Sequence, residues 1–367
     1  MVYAQQSDFE EFVQRDQQAF QNFRDAEARY LEEISREYET YVQQQQEAFE
    51  AFREEVERKW DQFRYPTKEE YVDYDDDLEG RGSVNFDEGK VEIEVLTEAD
   101  DPDADSKARE RVRKKMEDLV RTTDNEGRSI LEDQLDTGSG KPVDETNVGE
   151  YAREVVDDRA IQTTSYTARD GKQRRKYTVT VPLVPDHLAK RASRYKAEVM
   201  RQSDRFNLDP PLIFAVMQTE SYFNPKARSY VPAFGLMQLV PQSGARDAYI
   251  FVYKRDTLLT ADYLYIPRNN IELGCAYLSK LRNVYFKEIT DDSSAYYCAI
   301  AAYNTGPGNV ARALTGTKRL GPTVRTVNTH NYTWVYDKLM RDLPYDETKG
   351  YLKKVLGRVA VYESWRE

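Results

Sequence analysis

Glu220 is the one carboxyl group in the stretch Leu212-Ile-Phe-Ala-Val-Met-Gln-Thr-Glu-Ser-Tyr-Phe223, one helical turn beyond Val216 and Met217. Desolvation disfavours a charged carboxylate, and the raised pKa lets the acid keep a proton near neutral pH and give it to a leaving oxygen. Spacing alone supports a plainer reading, a Glu at the exposed end of an amphipathic helix. Other chemistries have little to draw on. His187 and His330 are the only histidines, too few for a His-rich zinc site or a catalytic triad with choice of partner. Cys275 and Cys298 are the only cysteines, which excludes a disulfide-dense scaffold and a four-thiolate metal site. Both are flanked by apolar residues and read as buried free thiols rather than a bridge. No metal or cofactor is expected, and acid–base work falls to carboxylates or tyrosines.

Three further segments stand out. Gly235-Leu-Met-Gln-Leu carries a neutral amide, Gln238, in an apolar turn; Ala301-Ala-Tyr-Asn-Thr-Gly-Pro-Gly308 puts Tyr303 and Asn304 on a helix end that glycines terminate; Pro344-Tyr-Asp-Glu-Thr-Lys-Gly-Tyr351 opens the last helix. The elements that must hold them are helical from the N-cap candidate Asp186 onward. Helices are expected at 187–206, 211–222, a short one opening near Gly235, 271–286, 293–302, 307–314, 332–342 and 347–365. Residues 187–367 therefore read as an all-α domain.

The first half reads differently. Residues 5–64 contain no Gly or Pro, and aromatics fall in pairs three apart: Phe9/Phe12, Phe20/Phe23, Tyr38/Tyr41, Phe49/Phe52 and Trp60/Phe63. Steps of eleven residues between pairs keep them on one side of a nearly straight helix. A helical hairpin or a coiled coil accounts for this, so residues 1–65 form a coiled-coil-like segment that something must cover: itself, a second copy, or an envelope partner. The segment is expected to be dispensable for chemistry. Beyond Pro66, YVDYDDDLEG reads as a solvated acidic linker. Asp73, Asp75 and Asp77 have a calcium loop's first spacing, but Leu78 and Val84 stand where that loop needs Gly and Glu. Val84/Phe86 and Val91/Ile93/Val95 alternate around Asp87-Glu-Gly89 as a hairpin, Ala108, Val112, Met116 and Leu119 share a helix face, and Tyr177, Val179 and Val181 alternate again. Residues 66–186 thus form a small α+β domain without a catalytic constellation, and the chain as a whole is α+β.

The ordered motifs resemble those of the goose-type lysozyme and lytic transglycosylase family: Glu-Ser-x-Phe-x-Pro at Glu220 to Pro225, Gly-Leu-Met-Gln at Gly235 to Gln238, Ala-Tyr-Asn-x-Gly at Ala302 to Gly306, and Glu-Thr-x-x-Tyr at Glu347 to Tyr351. Upstream, Ser83 to Ile93 and Tyr177 to Leu188 look like the membrane-bound lytic murein transglycosylase C group. The resemblance implies a lysozyme-like catalytic domain and a lyase that cleaves the β-1,4 bond between N-acetylmuramic acid and N-acetylglucosamine, leaving 1,6-anhydro-muramoyl ends. It implies that Glu220 is the acid/base and that Ser229 hydrogen-bonds it. It further implies that Gln238 and Tyr303, with Asn304, contact substrate or orient the carboxyl, and that Glu347 and Tyr351 line the sugar cleft. One departure is Val240, where soluble relatives have a cleft methionine. Another is the insertion of Tyr230, Pro232 and Phe234, either loop packing or a sugar platform. The resemblance also implies a periplasmic protein, outer-membrane associated in a full-length precursor, with the targeting segment absent from this chain.

Charge is consistent with this. The balance is 53 Lys+Arg against 65 Asp+Glu, net -12, which disfavours a general nucleic-acid binder. It is split: residues 1–150 hold 43 acidic and 20 basic residues, the remainder 22 and 33. The basic, tyrosine-rich second half suits an anionic glycan strand. No long apolar run or signal-peptide layout occurs, so the chain reads as soluble. Two rivals share the same residues: a lysozyme-type hydrolase using Glu220 and water, and a noncatalytic murein-binding scaffold.

Overall fold

With no glycine or proline to interrupt the backbone ladder, the N-terminal segment forms one unbroken helix, α1 (Val2–Lys59). At 1.5 Å per residue it is about 87 Å long. The fold-back is thereby excluded, because the helix never reverses. Along it Phe20 is 63% exposed, whereas Ile34 and Tyr38 are buried. The side chains of Phe9, Phe12, Phe23 and Leu31, which complete the repeat, lie outside the described residues. The structure, a computed structural model, describes residues 2–158, 161–230 and 232–366. It divides into two units, Met1–Glu54 and Glu55–Glu367. No described helix is long and apolar enough to cross a membrane.

The second unit begins with an antiparallel sheet of β1 (Glu70–Tyr74), β2 (Gly80–Asn85), β3 (Lys90–Glu98), β4 (Gln162–Thr167) and β5 (Gln173–Pro182), in the order β1-β2-β3-β5-β4. The alternation of Val91, Ile93 and Val95 on β3 with Val179 and Val181 on β5 turns one face toward α2 (Ala104–Arg121) and α3 (Val148–Asp158). Ala108, Val112, Met116 and Leu119 of α2 fill that core. The acidic stretch read as a linker is the edge strand β1 and the turn that joins it to β2. It is ordered because Lys115 of α2 bonds Asp73 at 2.6 Å and Asp75 at 2.8 Å, and Arg111 bonds Asp77 at 2.5 Å. These pairs occupy the carboxylates that suggested calcium, and no group of acidic, His or Cys side chains among the described residues could hold a metal ion.

The sheet's opposite face carries charge. Arg64 reaches Glu70 and Glu92, lies 3.1 Å from Glu94, and donates to Ser83 Oγ at 2.7 Å. Arg81, itself bonded to Glu94, sits 4.2 Å from the centre of the Trp60 ring. Trp60 donates through Nε1 to the Leu78 carbonyl at 2.8 Å. Trp60 and Arg64, read as the end of a dispensable segment, are thus built into the sheet. Burial alone would raise the Glu94 carboxyl, but the Arg81 hydrogen bond and the charges of Arg81, Arg64 and Lys176 outweigh it and hold the group low.

Beyond the sheet the chain is helical: α4 (His187–Arg194), α5 (Lys196–Phe206), α6 (Pro210–Ser221), α7 (Arg246–Tyr253), α8 (Ala261–Leu264), α9 (Pro267–Lys280), α10 (Asp292–Thr305), α11 (Pro307–Thr315), α12 (Leu320–Val327), α13 (Tyr332–Asp342) and α14 (Asp346–Val359). The expected 187–206 helix breaks at Tyr195. The short helix expected near Gly235 is instead a chain of turns, since Gly235 (φ +74) and Gln238 (φ +48) both adopt left-handed backbone. Cys275 and Cys298 are buried and free. Burial pushes the Cys298 thiol up to about 12.

Arg64→Ala leaves Glu70, Glu92 and Glu94 facing one another with less compensation and should lower unfolding free energy by about 2–3 kcal/mol in urea titration. A carboxyl held low contributes stability above its unfolded value that is lost as pH falls through the folded one. The native chain should therefore lose stability more steeply than Arg64→Ala below about pH 4.

Candidate active site

The helix that carries Glu220 is buried on every side. All residues from Pro211 to Ser221 are buried, so α6 is a central element and Glu220 is not at an exposed helix end. Its neighbours come from the chain's C-terminus. Arg358 of α14 donates to Thr219 Oγ1 at 3.0 Å and to the Tyr222 hydroxyl at 2.7 Å, and the Tyr362 hydroxyl donates to Gln218 Oε1 at 2.9 Å. Phe214 stacks with Tyr362 at 5.3 Å and meets Trp365 edge-on at 4.9 Å. The helix stops abruptly because Tyr222 (φ 50) and Phe223 (φ 61) are both left-handed, a conformation that costs about 1 kcal/mol or more per non-glycine residue. Arg191 of α4 holds that strained exit. Its guanidinium, 1% exposed, donates to the Tyr222 carbonyl at 3.1 Å, the Phe86 carbonyl at 2.8 Å and Gln134 Oε1 at 2.5 Å. One buried cation thus ties α6 to the sheet.

The Gly-Leu-Met-Gln turn is pinned by a residue that sequence reasoning missed. Asn270, fully buried near the start of α9, accepts from the Met237 N–H at 2.7 Å and donates to the carbonyls of Phe234 at 2.8 Å and Leu264 at 2.7 Å. Gly235 must be glycine here, since a Cβ would lie 2.5 Å from Asn270 Nδ2 and 2.6 Å from the Leu264 carbonyl. Ser221, next to Glu220, donates to the Leu236 carbonyl at 2.7 Å and so links helix and turn.

These elements enclose a cleft of about 540 Å³ lined by Glu220, Ser229, Gln238, Tyr303, Asn304 and Glu347, among others. Tyr351, buried, lies beside the Glu220 carboxylate and couples to it. Every site residue expected from the sequence therefore converges here, from α6, the two loops after it, α10 and α14. Ser229 Oγ accepts from the Ala233 N–H at 3.2 Å. Gln238 Nε2 donates to the Ala227 and Gly235 carbonyls at 3.1 and 3.0 Å, while its Oε1 is buried without a hydrogen bond among the described residues. The Tyr303 hydroxyl donates to the Met237 carbonyl at 2.9 Å, so its proton supports the turn rather than the Glu220 carboxylate. Thr348 donates to Asn304 Oδ1 at 2.7 Å and joins α10 to α14. Of the inserted aromatics, Phe234 is packed against Tyr265, whereas Tyr230 lines the cleft at 75% exposure. Neither histidine lines the cleft. His187 lies against Arg191, and burial with that neighbouring charge lowers it to about 4.

One cleft residue comes from a region read as having no site residue. Lys68 Nζ lies 3.3 Å from Glu220 Oε2. Nothing in the sequence signals a partner 152 positions away. Burial raises the Glu220 carboxyl; Lys68 and Tyr351 act against it, and Glu347 adds to it, with a net rise. Lys68 is also raised: burial alone would lower it, but Glu220, Glu347 and Glu69 outweigh that.

The chain matches two family models, the transglycosylase SLT domain over residues 198–324 and the N-terminal domain of membrane-bound lytic murein transglycosylase C over residues 38–194. It is 34% identical over 297 residues to membrane-bound lytic murein transglycosylase C of Klebsiella pneumoniae subsp. pneumoniae, covering 78% of this chain and 79% of that protein. The protein of the same name from Cronobacter sakazakii is 34% identical over 302 residues, with the same coverage. Among solved structures, the 70 kDa soluble lytic transglycosylase of Escherichia coli is 26% identical over 47% of this chain, with a TM-score of 0.35. The chain spans 24% of that enzyme's length.

Asn270→Ala strands the Met237 N–H and two carbonyls in a dry interior. It should cost about 3 kcal/mol of stability by denaturant titration and lower glycan turnover more than Gln202→Ala, a substitution outside the cleft.

Proposed function

The chain belongs to the membrane-bound lytic murein transglycosylase C family, and from that premise we propose that Glu220 is its single acid/base. The protein is a peptidoglycan lytic transglycosylase, a lyase acting on the glycan of murein. In the proposed reaction the protonated Glu220 carboxyl donates to the glycosidic oxygen between N-acetylmuramic acid and N-acetylglucosamine. The C–O bond breaks, and the resulting carboxylate takes the proton from the muramoyl C6 hydroxyl as that oxygen attacks its own anomeric carbon. A 1,6-anhydro end and a free 4-hydroxyl result, the proton returns to Glu220, and no water is consumed. This differs from the common two-carboxylate schemes, in which a second acid is nucleophile or base.

The observation that carries the reading is the burial of Glu220 on α6 at the base of the cleft, which favours the protonated form needed for a general acid. The orphan acceptor Gln238 Oε1 suits the N–H of a substrate acetamido group. Tyr303 supports the turn that carries Gln238, Tyr351 steadies the acid, Ser229, Asn304 and Glu347 line the sugar path, and exposed Tyr230 offers a stacking face. Residues 66–186 serve as a module that supplies Lys68 and, through the Phe86 carbonyl and Gln134 Oε1, anchors the Arg191 side chain that braces the exit of α6. Murein places the protein at the cell envelope, in keeping with its relatives' membrane-bound names. Helix α1 would then serve assembly or placement rather than chemistry.

Glu220→Gln keeps the shape and removes the transferable proton. Anhydromuramoyl ends, counted by mass analysis of digested murein, should fall by about 10³-fold or more with the melting temperature nearly unchanged. Reducing ends from the native protein would instead mark a hydrolase. Because the acid must be protonated and its pKa is raised, kcat should stay high past the ordinary glutamate range and decline as pH rises through the raised value.

A further inference from the structure

Lys68 is held where it is by more than its ion pair. Thr67, one residue before it, accepts the Glu69 and Glu70 N–H groups through Oγ1 at 3.2 and 3.0 Å, and its carbonyl accepts from the Arg228 N–H at 3.4 Å. Phe86 N–H donates to the Glu69 carbonyl at 2.9 Å, which extends the sheet pairing to the residue next to Lys68. The backbone is therefore clamped between the β1 edge and the loop after α6. Only the flexible four-carbon stem can move. The Lys68 side chain is 27% exposed while that of Glu220 is 5% exposed, so the ammonium group is the more solvent-accessible of the pair.

The arrangement conflicts with the reaction it serves. A general acid must carry a proton, and an ammonium 3.3 Å away favours the ionised carboxylate. The groups facing this pair are Glu347 and Tyr351 of α14, Tyr303 of α10, and Glu69 beside Lys68. None of them is a second cation, so displacing Lys68 leaves only the Tyr351 hydroxyl favouring the ionised carboxylate, against burial and the charge of Glu347, which favour the protonated acid. The glycan itself carries carboxylates, on the muramoyl lactyl group or its stem peptide.

Resting on the acid/base reading above, we propose that Lys68 is a specificity-determining residue that couples proton loading of Glu220 to a carboxylate on the glycan. In the free protein Lys68 pairs with Glu220. A lactyl or stem-peptide carboxylate entering the cleft draws Nζ outward, and Glu220 takes up a proton from solvent before donating it. Strands bearing carboxylates are thereby preferred over neutral ones of the same backbone.

The test uses the full chain and two probes: murein strands stripped of stem peptides, which bear free lactyl carboxylates, and the same strands with those groups capped as methylamides. The native protein should form anhydromuramoyl ends about tenfold faster on the acidic strand at neutral pH, because a larger share of Glu220 is protonated there. Lys68→Met should raise the neutral-strand rate toward the acidic one and extend its activity to higher pH. Lys68→Arg should restore the preference. A native ratio near one, or a Lys68→Met ratio equal to the native, overturns the proposal; Lys68→Gln serves if the Met variant melts early. Absence of anhydro ends on both strands overturns the lyase reaction proposed above, and this proposal with it.

Discussion

Keeping the Glu220 carboxyl out of water is the constraint around which the second unit is organised. A lone buried carboxyl costs free energy unless it is protonated or paired, and a helix that carries it must be covered on every face. Both requirements are met by distant parts of the chain. Phe214, Val216 and Met217 give α6 an apolar surface all round, and the C-terminal segment closes over it through Arg358, Tyr362 and Trp365. The same burial that makes the acid costly makes it useful, since the protonated form is the one stabilised.

The sheet region takes part in that arrangement at two points. Arg191 satisfies the Tyr222 carbonyl at a left-handed helix exit while also holding the Phe86 carbonyl of the β2–β3 turn. Lys68 reaches the acid directly. A strained helix exit persists only when its surroundings over-determine it, and here the determining group is a buried guanidinium bonded to three segments. The charged face of the sheet, roofed by Trp60 and crossed by Arg64, in turn fixes the start of β1, two residues beyond Lys68. The cleft is thus joined to the ionic network of a region that contributes one residue, Lys68, to its lining.

Local pattern made much of this legible. Alternation of Val91, Ile93 and Val95, the apolar face of α2, and the absence of breakers in α1 are short-range signals, and they identify the sheet, its covering helix and the long helix. The α+β class follows from that alternation beside the helical second half, and the transglycosylase activity is implied by the resemblance of four ordered motifs, whose residues Glu220, Gln238, Tyr303, Asn304, Glu347 and Tyr351 do meet at one cleft. Their types and order along the chain were enough, because each motif carries its own turn or cap. What tertiary structure alone decided are interactions without local periodicity. The acidic stretch at Asp73 to Asp77 folds into the end of β1 and the turn that follows only because Lys115 and Arg111 arrive from another helix to neutralise it. The turn at Gly235 to Gln238 is held by Asn270, whose place in an apolar helix gave no hint of three buried hydrogen bonds. Arg64, Arg191 and Lys68 look in sequence like ordinary surface cations. Only the packed fold sets which charges lose water together, because desolvation depends on what surrounds a group in space and not on its neighbours along the chain.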